Sequence, residues 1–142
     1  MTRGHELEDE QYIEVLHSIM HELASRGNVV IVGRAGNMIL RDVPGVLRVN
    51  CVADFDDRVD RITERDSVGR EEAERIIRDR DDARAYLFKR FFGVDHPDSP
   101  ELYHFTVNSS VMDLEYCADL VVGAATALEE GRLSSAAVVE DR

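Results

Sequence analysis

No apolar stretch of this sequence approaches the roughly 20 residues that a membrane-spanning helix requires, so no membrane segment is expected. Positive charge is also short. Seventeen lysines and arginines face 29 aspartates and glutamates, and a net charge of −12 argues against generic binding to nucleic acid polymers or anionic membranes. The start carries no charged-then-apolar leader, which makes the expected localisation cytoplasmic. Cysteine is scarce: Cys51 and Cys117 fall in a predicted strand and a predicted helix, and read as buried free thiols rather than a disulfide or metal pair. Lysine is nearly absent, Lys89 being the only one. An arginine bias suits phosphate recognition, but a GC-rich genome produces it too, so it decides nothing alone.

The 142 residues, 44% of them apolar, suffice for one domain with its own core, expected over 1–131. Residues 1–8 read as polar and frayed, and 132–142 as a flexible tail. The stretch that organises the rest is NVVIVGRAGN, residues 28–37. Val29, Val30, Ile31 and Val32 are β-branched, too short a run for a helix and apolar on both faces, as a buried parallel strand requires. The turn that follows carries Arg34, at the strand end where α/β sheets bind ligands. Arginine presents a planar charged fork suited to phosphate. Spacing alone leaves open whether Arg34 addresses a phosphate or pairs with an acid.

Before this strand, Ile13, Leu16, Met20 and Leu23 recur at helical spacing from about Asp9 to Arg26, with Tyr12 and Ile19 widening the face and Gly27 as the stop. His17 and His21 stand four apart, a metal-compatible spacing, but no third ligand is evident and no metal site is assigned. After the strand, a short helix over Ala35–Leu40 and the turn 41–45 lead to a second strand, Val46–Val52. Asp54 then caps a helix to about Arg65 with Phe55, Val59 and Ile62 buried. Gly69, with Glu72 in a capping box, opens a longer helix from Arg70 that ends at Gly93. His104–Asn108 reads as a third strand. Asp113 caps a last helix whose Leu114, Cys117, Ala118, Val121, Val122 and Leu128 face inward. Alternating strands and helices imply βαβ units and a parallel sheet.

Ten of the seventeen basic residues lie between Arg58 and Arg90, interleaved with acids. One account is a solvated helix pair laced with ion pairs such as Glu71–Arg75 and Glu74–Arg78, each worth a few tenths of a kcal/mol. The other starts from Arg61 with Arg65, and Arg80 with Arg84, which stand one turn apart and repel unless something negative faces them. Such a pair of helices can serve as an arginine-lined cover over phosphates.

Three blocks, VVIVGRAGNMILRDVPGVLRV, DRVDRITERDSVGREEAERIIRDRDDARAYLFKRFFGVD and YHFTVNSSVMDLEYCADLV, resemble in order and spacing the cytidylate kinase-like family of P-loop nucleoside monophosphate kinases. The resemblance runs from about Asp9 to Ala125. It implies an α/β fold: a three-layer parallel sheet of the P-loop nucleoside monophosphate kinase type, incomplete at its N-terminus, with a helical lid over about 58–93. It also implies transfer of the ATP γ-phosphate to CMP or dCMP with Mg²⁺. Gly33, Arg34, Gly36 and Asn37 match the turn that holds the acceptor nucleotide. Arg61 and Arg65 match lid arginines that contact phosphates. Asp81 and Arg84 match the lid's Asp-x-x-Arg pair, with Arg78 or Arg80 completing the set.

The chain departs from the family at three points. Ala35 replaces an aspartate that contacts the acceptor, and Gly69 replaces a serine at the helix cap. Phosphoryl transfer also relies on a glycine-rich loop and a lysine cradling the donor phosphates, yet no G-x-x-x-x-G-K-[ST] occurs and Lys89 lies in FKRFFG. The donor site for ATP is therefore expected to be missing and the chain inactive alone. The alternatives are a nucleotide- or phosphate-binding regulatory module and a structural partner of a P-loop-containing chain. The resemblance places a further strand between Val29–Val32 and Val46–Val52. Without it the expectation is either association, with itself or with a partner supplying that strand, or closure by direct pairing of the two.

Overall fold

A computed structural model describes residues 3–133. The elements run α1 (Arg3–Arg26), α2 (Gly36–Ile39), β1 (Val49–Val52), α3 (Phe55–Asp66), α4 (Arg70–Phe92), a 3-10 turn (Pro100–Leu102), β2 (Phe105–Asn108) and α5 (Leu114–Glu129). No described helix is long and apolar enough to cross a membrane. The tail expected over 132–142 lies outside the described residues except for Arg132 and Leu133.

β1 and β2 pair in parallel, with Val49 opposite Phe105 and Val52 opposite Asn108. A parallel pair needs a long crossover, which α3 and α4 supply. The ladder runs on beyond both ends: His104 N–H donates to Arg48 O at 2.8 Å and Ser109 N–H to Val52 O at 2.9 Å. The strand begins at Val49 rather than Val46, because Val46 turns into the core around Met20, Ile39 and Leu40.

Three small cores hold the chain. Met20, Ile39 and Leu40 join α1 to α2, with Ile31, Val46 and Phe92 packed around them. Val59, Ile62, Ala73 and Ile77 lock α3 against α4. Ala35, Met38 and Phe88 fix the carboxyl half of α4 beside the Arg34 turn. Gly27 at φ +69° and Gly93 at φ +66° end α1 and α4 in the left-handed conformation that glycine adopts without strain.

Several expectations are corrected. Helix α1 begins at Arg3, so most of the segment read as frayed is helical. Tyr12 and Ile19 are exposed and do not widen its buried face. Phe55 is exposed too, its ring lying under the Arg78 guanidinium at 5.3 Å. Glu72 pairs with Arg75 instead of reaching back to the Gly69 cap. The Glu74–Arg78 pair forms, whereas Arg75 turns to Glu72 and Asp79 rather than Glu71. Cys117 is buried but Cys51 is exposed, on a strand with only one neighbour. Leu114, Ala118 and Val122 face outward, since a sheet of two short strands is too narrow to cover α5.

The largest correction concerns Val29–Val32, which is not a strand. Val30 and Val32 are 89% and 87% exposed, and only Ile31 turns into a core. Four β-branched residues supply propensity, but a strand also needs a neighbouring backbone. Among the described residues this segment makes no backbone hydrogen bond. It is not paired with β1 either, so the edge is not closed in that way.

Candidate functional site

The Arg34 turn is conformationally unusual. Gly33, Arg34 and Ala35 take φ of +78°, +55° and +54°, three left-handed residues in succession. For the two that carry a Cβ this costs about 1–2 kcal/mol each. Packing holds the turn in place: Ala35 is buried against Met38 and Phe88, and Gly36 N–H bonds back to Gly33 O at 3.1 Å. Arg34 is thereby held out into solvent. Its contact is Tyr12 Oη at 3.5 Å, the long limit of a hydrogen bond, and no described carboxylate pairs with it. Gly36 packs against Met20 and Ile31, close enough that an added Cβ would meet Ile31 Cγ2 at 3.4 Å. Asn37 lies beside the Tyr103 phenol, with its Nδ2 buried and lacking an acceptor.

Around Phe88 from this turn sits Arg84. Its guanidinium lies 5.2 Å from the Phe88 ring centre and donates to Asp98 Oδ1 at 2.9 Å and to Tyr103 Oη at 2.9 Å. Asn50, buried in β1, donates through Nδ2 to the same Asp98 oxygen at 3.1 Å. Tyr103 Oη–H in turn donates to Pro97 O at 2.6 Å. Burial pushes the Tyr103 phenol above its ordinary range, against the opposing charge of Arg84, so it stays a donor at neutral pH.

Asp81, one turn before Arg84, turns to α3. Both its oxygens accept from Arg58, at 2.6 and 2.9 Å, and this hydrogen bonding holds the Arg58 guanidinium above its usual range. Arg61 leaves the helix pair altogether. It donates to Ser109 Oγ at 2.8 Å and Ser109 O at 2.7 Å, at the turn where β2 ends. Ser110 Oγ completes that junction by accepting from Asp54 N–H at 2.7 Å.

The other predicted arginines lie elsewhere. Arg65 forks onto its neighbour Asp66 at 2.6 and 2.9 Å, and this bond holds the Asp66 carboxyl below its usual range. The Arg80 charge also acts on Asp66. Arg78 joins Glu74 and Phe55 on the outer side of α4, in a groove lined by Glu71, Glu72, Asp79 and Asp82. Six residues from Arg84, it stands roughly 120° around the helix. His17 and His21 stack at 5.9 Å, and the described residues contain no group of three or more metal-ligating side chains.

Arg84 and Asn37 therefore meet around the Tyr103 phenol, whereas Arg34 reaches Tyr12, Asp81 faces Arg58, and Arg65 and Arg78 lie elsewhere. The sequence reading missed Asn50, Arg58, Asp98, Tyr103 and Ser109. Asn50 alone left a signal, as a polar residue inside the apolar run VLRVNCV.

Comparisons with known proteins bear on the family of the chain. The cytidylate kinase-like family matches residues 1–111, a span that includes every side chain just described. A cytidylate kinase from Ignicoccus hospitalis is 31% identical over 100 residues, covering 70% of this chain and 57% of its own length. The chain thus spans little more than half of that relative. A solved structure of an uncharacterized protein from Eubacterium ventriosum superposes with a TM-score of 0.70 at 21% identity, over 78% of this chain and 63% of the other. That likeness concerns the fold. With its Arg34 turn and helix pair inside the matched span, the chain belongs to the cytidylate kinase-like family.

Proposed function

We propose that these residues form the acceptor-and-lid portion of a nucleoside monophosphate kinase that takes CMP, dCMP or a related nucleotide. One observation carries the reading. The α3–α4 pair delivers Arg61 to Ser109 at the carboxyl end of β2, and ligands of α/β folds bind at the carboxyl ends of strands, while Arg84 meets Asn50 of β1 through the Asp98 oxygen they share. Arg34, strained, exposed and without a described carboxylate partner, is the group we assign to the acceptor phosphate.

ATP with Mg²⁺ would supply the γ-phosphoryl group and neutralise its charge. The residues here do not fit that donor. Lys89 is held by Asp95 at 2.6 Å, and the 142 residues contain no G-x-x-x-x-G-K-[ST]. We therefore propose that they do not transfer phosphate by themselves. A three-layer parallel sheet, with a further strand between Val29–Val32 and β1, belongs to the same proposal. Its support is that Ile31 and Val46 border one core while no ladder joins their segments. The open edge favours a second reading, a structural partner of a P-loop-containing chain.

Titration of CMP, dCMP, AMP and inorganic phosphate into the purified chain tests the nucleotide site, and a coupled assay with ATP, Mg²⁺ and CMP tests the inactivity. The expected result is pyrimidine monophosphate binding without turnover. Turnover on the order of 1–100 per second would refute the inactivity, and no binding of any nucleotide would refute the acceptor site.

A further inference from the structure

Two donors from different elements converge on one carboxylate oxygen. Asn50 Nδ2 and Arg84 Nη1 lie 3.1 and 2.9 Å from Asp98 Oδ1. Both donors are held by the fold: Asn50 is only 6% exposed, and Arg84 is fixed by Tyr103 Oη and the Phe88 face. The acceptor's backbone is held as well, since Pro97 O accepts from Arg84 Nη2 at 3.3 Å and Tyr103 Oη at 2.6 Å, but its side chain is open. The Asp98 side chain keeps 60% of its surface, on a loop joined to α4 through left-handed Gly93. The charge of Arg58 reaches Asp98 as well, although Asp81 already matches it. A single carboxylate is a poorer complement to these groups than a phosphate monoester, which carries about −1.5 to −2 at neutral pH.

We propose that Asn50 and Arg84 form an oxyanion seat for a phosphate monoester, and that Asp98 fills it as an internal competitor until the ligand arrives. The proposal rests on the nucleotide-binding reading above and adds to it a donor, Asn50, and a latch, Asp98. Binding exchanges the Asp98 oxygen for a phosphate oxygen, with no covalent step. The Asp98 side chain rotates out into solvent while Arg84 keeps its bonds to Tyr103 and to Pro97 O. Apparent affinity is then reduced by the fraction of molecules in which the seat is filled by Asp98.

Asp98→Asn tests this, since it removes the charge while preserving size and one acceptor oxygen. Calorimetric titrations of CMP, inorganic phosphate and uncharged cytidine would be run on the wild-type chain and the variant, each checked by thermal melting. The variant should bind CMP and phosphate about tenfold tighter, about 1.4 kcal/mol, with cytidine unchanged and phosphate competing with CMP. Adding Arg84→Gln should abolish the gain. Should Asp98→Asn not fold, Asp98→Ser replaces it in the same titrations. Equal CMP affinity in wild type and variant overturns the latch and leaves the acceptor site standing. Absence of CMP binding in both overturns the two together, and a gain that survives Arg84→Gln overturns the seat.

Discussion

Replacing Arg61 and Arg65 by alanine should have very different consequences, although the two arginines stand one turn apart on α3. Arg61 donates twice to buried Ser109, at 2.8 and 2.7 Å, and so ties α3 to the turn that ends β2. A hydrogen bond to a charged group is worth about 1.5–3 kcal/mol, but the two do not add in full. Ser109 Oγ keeps its own bond to Val52 O at 3.2 Å, which leaves the Ser109 carbonyl as the group that loses its partner. Arg61 also remains open to solvent, which weakens its bonds. The net loss expected for Arg61→Ala is therefore about 1–2 kcal/mol. At about 4 °C per kcal/mol for a chain of this size, the melting midpoint should fall by roughly 4–8 °C. Among the described residues Arg65 bonds only to its exposed neighbour Asp66, so Arg65→Ala should melt with the wild type. Urea unfolding followed by far-UV circular dichroism measures both, with an unchanged slope showing that the difference lies in stability. Arg61→Lys should recover only part of the loss, since an ammonium cannot reproduce the two-pronged contact. An Arg61→Ala midpoint equal to wild type, or an equal fall for Arg65→Ala, would refute the reasoning.

Arg34→Ala should weaken CMP binding by about 1.5–3 kcal/mol while leaving the melting midpoint in place, because Arg34 makes one long contact; unchanged calorimetric affinity would remove it from the site. The Tyr103 phenol has its pKa raised by folding, so the stability it contributes is complete below its unfolded value of about 10 and is lost as pH rises through the folded value. Tyr103→Phe should lose stability at neutral pH and flatten the alkaline part of the curve, and an unaltered alkaline slope in urea titrations would count against that assignment. Backbone amides of Val29–Val32 should exchange with solvent fast at low concentration and become protected on association. Light scattering that finds one monomeric species at every concentration, with those amides still exchanging fast, would eliminate self-association through this edge.

Much of the chain was legible in sequence where local chemistry decides the outcome. The α3–α4 pair follows from the spacing of Val59, Ile62, Ala73 and Ile77 and from glycine at either end of α4. The Asp113 cap of α5, whose side chain accepts from Tyr116 N–H at 2.8 Å, was legible for the same reason. A helix satisfies its own backbone, so a periodic pattern and two stops suffice to specify it.

What the sequence by itself determined was which segments are helical and that basic residues gather between Arg58 and Arg90. Only the tertiary structure decided how those arginines are used, because a guanidinium reaches across several ångströms and takes whichever acceptor the packing brings near. Thus Arg61 goes to Ser109, Arg65 to Asp66, Arg78 to Glu74 and Arg84 to Asp98. Only the tertiary structure decided the fate of Val29–Val32 too. A strand's hydrogen bonds go to another segment, so four β-branched residues specify an appetite for a neighbour and not the neighbour itself.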